Sequence, residues 1–294
     1  MPRRTTSGDQ EARSIEANVS RRTPRRTSVR PLTVALALAL ALFAGTAAPP
    51  APPTPVAAAT DTATAMATQV MSWLNQDRVA VGLLPLRTWP ALASLAGDRA
   101  GRMAAAGTLS HAAAGGDPGA AITAAGLQWY SFGEIIGESG YPWGTQSAQN
   151  LYSMWKSSSQ HHAIMFSSTY NYAGAGFARR SDGSTWASIL FTESVDHTPP
   201  IARNRSISRS GTTVTYYWSG ADPRLQTHTA GLRSFDVQYR VDGGTWRLIR
   251  NDTISTGLRL YSRPHGHYYS FRVQAADRRG NLSRWTAEIR IWVP

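Results

Sequence analysis

Two histidines and one glutamate, widely separated along the chain, are the residues best suited to chemistry. His111 ends the segment LSH, Glu134 lies in the apolar run FGEII, and His161 stands three residues after Ser158. Two neutral imidazoles and one carboxylate can bind Zn²⁺ and leave a fourth position open for water, which the metal ionises near neutral pH. We therefore predict a divalent metal such as zinc as cofactor, with His111, His161 and Glu134 as its ligands.

Glu134 has two other interpretations. As the candidate catalytic residue it could act as a general base and take a proton from an attacking water. It could instead brace a loop through hydrogen bonds. Ser158 has no Gly-x-Ser-x-Gly context that would make it a nucleophile, so it is placed with His111, Glu134 and His161 as a candidate ligand-binding residue.

The elements that must position these residues follow from hydrophobic spacing. Helical periodicity predicts one helix that ends before Gly82, a second from an N-cap at Thr88 to a glycine stop at Gly107, and a third over residues 147–157. Strand patterns follow at 132–136, 172–178 and 186–192. Helices flanking a small sheet predict an α+β domain.

The last third of the chain has a different pattern. From residue 199 onward, short alternating runs rich in Tyr, Trp, Phe and Val are separated by turn signals such as Asp-Gly-Gly and Arg-Gly-Asn. This pattern is typical of an antiparallel sandwich, and its length accommodates about seven strands. We therefore predict a second, all-β domain.

Charge is distributed unevenly between the segments. The formal net charge is +5 for residues 1–59, −2 for residues 60–198 and +9 for residues 199–294, which together give +12. A strongly basic domain attracts anionic envelope polymers or lipid headgroups. Nucleic acid is a less favoured partner because no recognition motif accompanies the charge. Cysteine is absent, which excludes disulfides, thiol nucleophiles and cysteine-based zinc sites.

The N-terminus has the composition of an export signal. Eight arginines precede the apolar run LTVALALALALF at residues 32–43, and small residues follow it. The run is short for a hydrocarbon core of about 30 Å, so we predict a signal peptide over 1–48, with an uncleaved anchor as the alternative. A Pro/Ala-rich linker is predicted over 49–64. The mature chain is then secreted, extracellular or envelope-associated, without a transmembrane span.

A series of short motifs over residues 66–195 resembles the CAP superfamily, which is named for cysteine-rich secretory proteins, antigen 5 and pathogenesis-related 1. The matching segments, in chain order, are LNQDR at 74–78, GLLPL at 82–86, LASLA at 92–96, Arg99-Ala100, Met103, GTLSH at 107–111, GEII at 133–136, WKSSSQH at 155–161 and GAG at 174–176. The resemblance implies an α-β-α sandwich with a central antiparallel sheet and a cleft lined by two histidines and two acids.

Carried over residue by residue, the resemblance assigns His111 as the first histidine, Glu134 as the acid of the Gly-Glu-Asn motif and His161 as the second histidine. Ser158 stands where many members have the second glutamate, and Ile135 replaces the asparagine. The missing second acid favours binding over catalysis, because fewer groups are available to transfer protons.

Residues 199–294 resemble a fibronectin type III or related immunoglobulin-like module. The predicted organisation is a signal peptide at 1–48, a linker at 49–64, a CAP domain at 65–198 and a β-sandwich at 199–294. The predicted function is a secreted protein that binds a metal, or a small-molecule, lipid or polysaccharide ligand, in a His/Glu cleft, with the basic sandwich associating with envelope or matrix. The alternative is a metal-assisted secreted hydrolase of peptide or cell-wall substrate, with Glu134 as base.

Overall fold

The computed structural model describes the backbone of residues 56–294 and the side chains from residue 62 onward. Its helices are α1 (Val56–Ala80), α2 (Pro90–Ala106), α3 (Pro118–Ala124), α4 (Thr145–Ser157) and α5 (Ser159–Met165). The strands of the first domain are β1 (Arg87–Thr88), β2 (Ser131–Ser139), β3 (Tyr172–Arg179) and β4 (Thr185–Glu193). Those of the second are β5 (Ile201–Ser210), β6 (Thr213–Ala221), β7 (Leu232–Val241), β8 (Arg247–Thr253), β9 (Gly257–Leu260), β10 (His267–Asp277) and β11 (Ile289–Val293).

The first domain is a three-layer α-β-α sandwich around one sheet. The strand order is β1-β3-β4-β2, with β4 antiparallel to both of its neighbours and β1 parallel to β3. Helix α2 packs on one face of the sheet, and α1 and α4 pack on the other. Strands β2 and β4 are buried along almost their whole length because helices cover both faces. The predicted α+β class is confirmed.

Two glycines on β3 allow helix α2 to lie directly on the sheet. A Cβ atom on Gly174 would stand 2.2 Å from the backbone nitrogen of Ala93, and one on Gly176 would stand 2.0 Å from that of Gly97. Both distances are far below van der Waals contact, so only glycine fits at these positions. The GAG segment is therefore the place where the helix and sheet backbones come closest.

The second domain is an antiparallel β-sandwich. One sheet has the order β11-β10-β7-β8 and the other the order β5-β6-β9. Its core is built on Tyr216, Trp218, Val237 and Phe271, which are almost completely buried. The expected seven strands are present, although β5 and β9 did not stand out in the sequence. Strand β5 is rich in Arg and Ser because both of its faces are largely exposed.

The two domains are in close contact through the loop between β6 and β7. Leu225 of this loop is buried in a cluster of first-domain side chains that includes Leu92 and Phe132. The backbone nitrogen of Leu84 donates to Gln226 Oε1 at 2.7 Å, and the Thr227 hydroxyl donates to a first-domain carbonyl at 3.1 Å. The loop therefore packs and hydrogen-bonds as part of the first domain's surface.

Several element boundaries differ from the predictions. Thr88 is not the N-cap of α2, because it pairs with Ala173 in β1; Trp89 occupies the cap position without a side-chain hydrogen bond. The glycine stop is confirmed, since Gly107 has a left-handed φ of 61°. Helix α1 begins at Val56 and so includes part of the segment predicted as linker, because the residues after the last proline are mostly alanine and threonine.

The predicted signal peptide at 1–48 lies outside the described residues. Among the residues that are described, no helix is long and apolar enough to cross a membrane.

We expect Gly176→Ala to lower the free energy of unfolding by about 2–3 kcal/mol, because the added methyl group pushes β3 away from α2. Gly97→Ala is the matched control, since its Cβ meets nothing within 4 Å and alanine favours a helix interior. The control should be unchanged or more stable by about 0.5–1 kcal/mol. Urea denaturation measures both. Equal stability of the two variants would contradict the close-packing assignment.

Candidate functional site

Glu134 lies in the middle of β2, and both of its carboxylate oxygens accept hydrogen bonds. Oε1 accepts from Arg99 Nε at 2.6 Å and from the Ser188 hydroxyl at 2.7 Å. Oε2 accepts from Arg99 Nη2 at 2.7 Å and is 2.6 Å from His111 Nδ1. The Arg99 and Glu134 side chains are each only 1% exposed, so this is a buried, bidentate ion pair.

Secondary structure brings these partners together. Arg99 lies on the buried side of α2, which packs against the sheet. Ser188 of β4 is opposite Ile136 of β2, so it is a diagonal neighbour of Glu134 on the same face of the sheet. Arg99 is one of the residues that carry the family resemblance, but neither Arg99 nor Ser188 was predicted as a site residue. Arg99 lies at a position of the helix that faces the core. Because arginine is rarely buried without a partner, its charge at this position could have indicated a buried acid.

His111 is fixed by the turn that follows α2. The Ser110 hydroxyl accepts from the Ala113 backbone nitrogen at 3.0 Å, and the His111 carbonyl accepts from Gly116 nitrogen at 2.9 Å. Arg99 Nη2 also donates to the Gly116 carbonyl at 2.9 Å, so the arginine ties this turn to Glu134. The turn and the ion pair are one hydrogen-bonded unit.

The orientation of His111 has a chemical consequence. An ionised carboxylate only accepts hydrogen bonds, so His111 Nδ1 carries the proton that it shares with Glu134. In the neutral ring the lone pair is then on Nε2. His111 is 20% exposed at the side chain, in contrast to the buried carboxylate behind it. This is the arrangement in which a carboxylate orients an imidazole for ligand binding.

His161 lies on α5, the short helix that begins after Ser158. Its Nδ1 atom is buried and has no hydrogen-bond partner. Burial lowers the pKa of His161, and the charge on His111 lowers it further. Ser158 is half-buried at the junction of α4 and α5, where its side chain makes no capping hydrogen bond.

The pKa of Glu134 reflects the same contacts. Burial by itself raises this pKa, but the hydrogen bonds from His111 and Arg99 outweigh burial and lower it overall. The group is therefore a carboxylate at neutral pH. To act as a base it would have to release a hydrogen bond with Arg99, His111 or Ser188.

A cavity of about 240 Å³ opens beside this unit. His111, Glu134 and Phe132 line it, together with Asp117 at the start of α3. The sequence pattern around Asp117 indicated only a turn, and its carboxylate does cap α3 through the Gly119 nitrogen at 2.9 Å. Its exposed position also gives the cavity an acidic rim.

A larger cavity of about 470 Å³ lies between α1 and α2, at the edge of the sheet beside β3. Its lining is made of small and apolar residues with Asn75, and it contains no histidine or acid. Of these two cavities, only the smaller one is lined by a histidine and by acidic side chains.

The described residues contain one set of three acidic or histidine side chains whose ligand atoms all lie within 4.8 Å of one another. That set is Asp196, Asp222 and Asp277, at the domain junction. The ligand atoms of His111, Glu134 and His161 do not all lie within this distance of one another. His111 and Glu134 line the cavity together with Asp117, whereas His161 is not among its lining residues.

The three junction aspartates were not anticipated from the sequence. Asp196 Oδ2 accepts from Ala230 nitrogen at 2.8 Å and Asp222 Oδ2 from Gly231 nitrogen at 2.6 Å, so both hold the loop that joins the domains. Burial raises the pKa of Asp222, and the charges of Asp196 and Asp277 raise it further. The three carboxylates therefore repel one another, and the hydrogen bonds from the Ala230 and Gly231 nitrogens offset this repulsion.

Comparisons with known proteins identify the first domain. The family model described as CAP, cysteine-rich secretory protein family, matches residues 71–192. No curated protein matches the chain.

Solved structures match each domain separately. An outer surface protein from Borrelia burgdorferi is 17% identical over 43% of this chain and 91% of its own, with a TM-score of 0.39. An extracellular protein containing an SCP domain from Bacillus anthracis is 17% identical, with a TM-score of 0.41, and the matched part is 48% of this chain and 45% of that one. An Fn3-like protein from Clostridium thermocellum is 20% identical over 33% of this chain and 96% of its own, with a TM-score of 0.24.

We expect Arg99→Met to cost about 3–5 kcal/mol of stability, because it leaves the Glu134 carboxylate buried without its cation. In the double variant Arg99→Met/Glu134→Gln the loss should be smaller than the sum of the two single losses, by about 1–3 kcal/mol. Chemical denaturation of all four proteins measures this coupling. Additive losses would show that the pair is not an energetic unit.

Asp222→Asn should stabilise the protein at pH 7 in the presence of EDTA, by a few degrees in Tm, because it removes one of three clustered charges. The amide oxygen can still accept from Gly231. Since the folded-state pKa of Asp222 is raised, its ionisation destabilises the folded state above that pKa, and this effect disappears below the ordinary aspartate pKa of 3.8. The gain should therefore shrink in strong acid. A lower Tm at pH 7 would overturn this interpretation of the cluster.

Proposed function

We propose that the protein is a secreted binding protein, an interpretation supported by the match of residues 71–192 to the family model of cysteine-rich secretory proteins. Its cleft takes a divalent metal ion, zinc being the best match, together with a small ligand. Its basic second domain associates with anionic polymers of the cell envelope. The contact of His111 with Glu134 carries this proposal, because it engages Nδ1 and leaves Nε2 for a ligand.

The donor set fits a metal of intermediate softness. His111 is held through Nδ1 by Glu134, and His161 has a buried Nδ1 with no partner. Neutral imidazoles are preferred zinc ligands, and burial keeps His161 neutral at pH 7. Bound zinc would offer open positions to water or to a ligand donor. The Asp117 carboxylate at the rim of the cavity would favour a polar group on that ligand.

Binding is better supported than hydrolysis. A hydrolase needs a base with a free lone pair beside the water, whereas both oxygens of Glu134 are occupied by Arg99, His111 and Ser188. Ser158 stands at the position of the family's second acid, and its side chain has no carboxylate that could transfer a proton. The side chains that remain can hold and orient a ligand.

Location outside the cell is supported by the family and by the export-like N-terminus. The formal charge of +9 on residues 199–294 supports retention at an anionic envelope. Physiological salt would weaken this attraction, because it screens exposed charges that are more than about 8 Å apart. The first domain, at −2 over residues 60–198, contributes little to that attraction.

We expect the protein to bind one Co²⁺, as a spectroscopic substitute for zinc, with visible absorption typical of imidazole ligation. His111→Ala and His161→Ala should each abolish the signal. Glu134→Gln should weaken Co²⁺ binding about 10–100-fold, because it loses the partner that orients His111. His162→Ala is the matched control, since His162 is exposed and stacks on Phe166, and it should bind normally.

Co²⁺ binding that survives the His111→Ala/His161→Ala double change would refute the metal site. Assays of peptide and cell-wall hydrolysis should show no turnover. Turnover that Glu134→Gln abolishes while Co²⁺ remains bound would establish the hydrolase instead.

A further inference from the structure

The outer face of the sheet β11-β10-β7-β8 carries arginines stacked on tryptophans. The guanidinium of Arg272 lies 4.3 Å from the centre of the Trp246 ring and 4.8 Å from that of Trp285. Arg240 lies 4.6 Å from the same Trp246 ring. Arg290 lies over Tyr268 at 5.0 Å. We call Arg240, Trp246, Arg272, Trp285 and Arg290 the Arg–Trp face.

Strand pairing places the three arginines on one side of the sheet. Ser270 of β10 is opposite both Arg240 of β7 and Arg290 of β11, so these two arginines point to the same face. Arg272 is two residues further along β10 and shares that face. With strands about 4.8 Å apart and about 3.4 Å per residue, the three positions are separated by about 7–10 Å. The cations thus form a spaced group.

The aromatic rings hold cations here and are not free for sugar stacking. Cation–π contact occupies ring faces that a neutral glycan would otherwise use. Stacking also holds a guanidinium flat, while its edge nitrogens keep their ability to donate. Arg272 donates Nε and Nη2 to Gln238 Oε1, at 2.9 and 2.6 Å, so its polar partner is a neutral amide.

The acids on this face neutralise it incompletely. Glu288 pairs with Arg240 and also accepts from the Ser270 hydroxyl at 2.8 Å. Burial and the nearby charge of Arg240 lower the pKa of Arg272, as expected where two cations are held close together. An anion placed between them would relieve that repulsion.

We propose that the Arg–Trp face is a binding surface for a phosphodiester polymer of the cell envelope, with Arg240, Arg272 and Arg290 contacting successive phosphates. This rests on the envelope association proposed above and identifies the surface and the class of polymer. Arginine is the side chain best suited to planar, two-point recognition of phosphate. The neighbouring Trp292, which is 41% exposed and packs against Tyr268, would contact the linking carbons.

The test measures binding of the full chain to poly(glycerol phosphate), to dextran and to duplex DNA over a range of salt concentrations. The variant Arg240→Gln/Arg272→Gln should weaken polymer binding at least ten-fold and reduce the slope of log affinity against log salt by about 2. The charge-matched control is Arg203→Gln/Arg209→Gln, on exposed positions of β5 in the opposite sheet. It should change affinity less than three-fold. Dextran should not bind.

Arg290→Gln provides a second variant, because Arg290 is exposed near the end of the chain and its loss should leave the fold intact. It should weaken polymer binding by about three-fold or more, with an unchanged Tm. Equal losses in the two double variants would reject this face while leaving envelope association in place. No polymer binding by the unaltered protein would reject both. Tighter binding to DNA than to the polymer would overturn the choice of partner. Co²⁺ binding in the cleft, measured on the same variants, reports separately on the metal site.

Discussion

The buried ion pair between Arg99 and Glu134 is the constraint on which the site depends. A carboxylate in the middle of a covered sheet is costly unless its charge and both oxygens are satisfied. Arg99 from α2, Ser188 from β4 and His111 from the following turn do this together. One carboxylate therefore links a helix, two strands and a loop. The position of His111 follows from its hydrogen bond to this carboxylate.

That arrangement separates the roles of the titratable groups. Glu134 is engaged by Arg99, Ser188 and His111, while the Nδ1 atom of His161 has no hydrogen-bond partner within the described part of the chain. The family resemblance implied a cleft with two acids. This chain has Ser158 at the position of one of them, and Arg99 pairs with the other, Glu134.

The two domains divide the electrostatics between them. The first is almost neutral and concentrates its charges in a few buried contacts, whereas the second spreads an excess of arginine over its surface. The loop between β6 and β7 joins them through Leu225 and through the Ala230 backbone nitrogen, which donates to Asp196. A ligand in the cleft and a polymer on the sandwich would therefore be held by one connected body.

The sequence by itself determined the class of both domains, because hydrophobic period and glycine position are local properties. The helix stop at Gly107, the strand around Glu134 and the change to alternating runs after residue 199 were all visible in it. It also named His111, Glu134 and His161, and it bounded the chemistry through the absence of cysteine. It did not reveal Arg99, Ser188 or the three junction aspartates as partners.

Only the tertiary structure decided which atoms of these residues remain free. Arg99 and Glu134 are 35 positions apart, and Ser188 lies 54 positions beyond Glu134. Their contact depends on how α2 crosses the sheet, which the close approach at Gly174 and Gly176 sets. Hydrogen bonding and desolvation depend on distances between segments remote in the chain, and no local pattern encodes those distances. For this reason the candidate residues could be identified from the sequence, while the contacts that each of them makes could not.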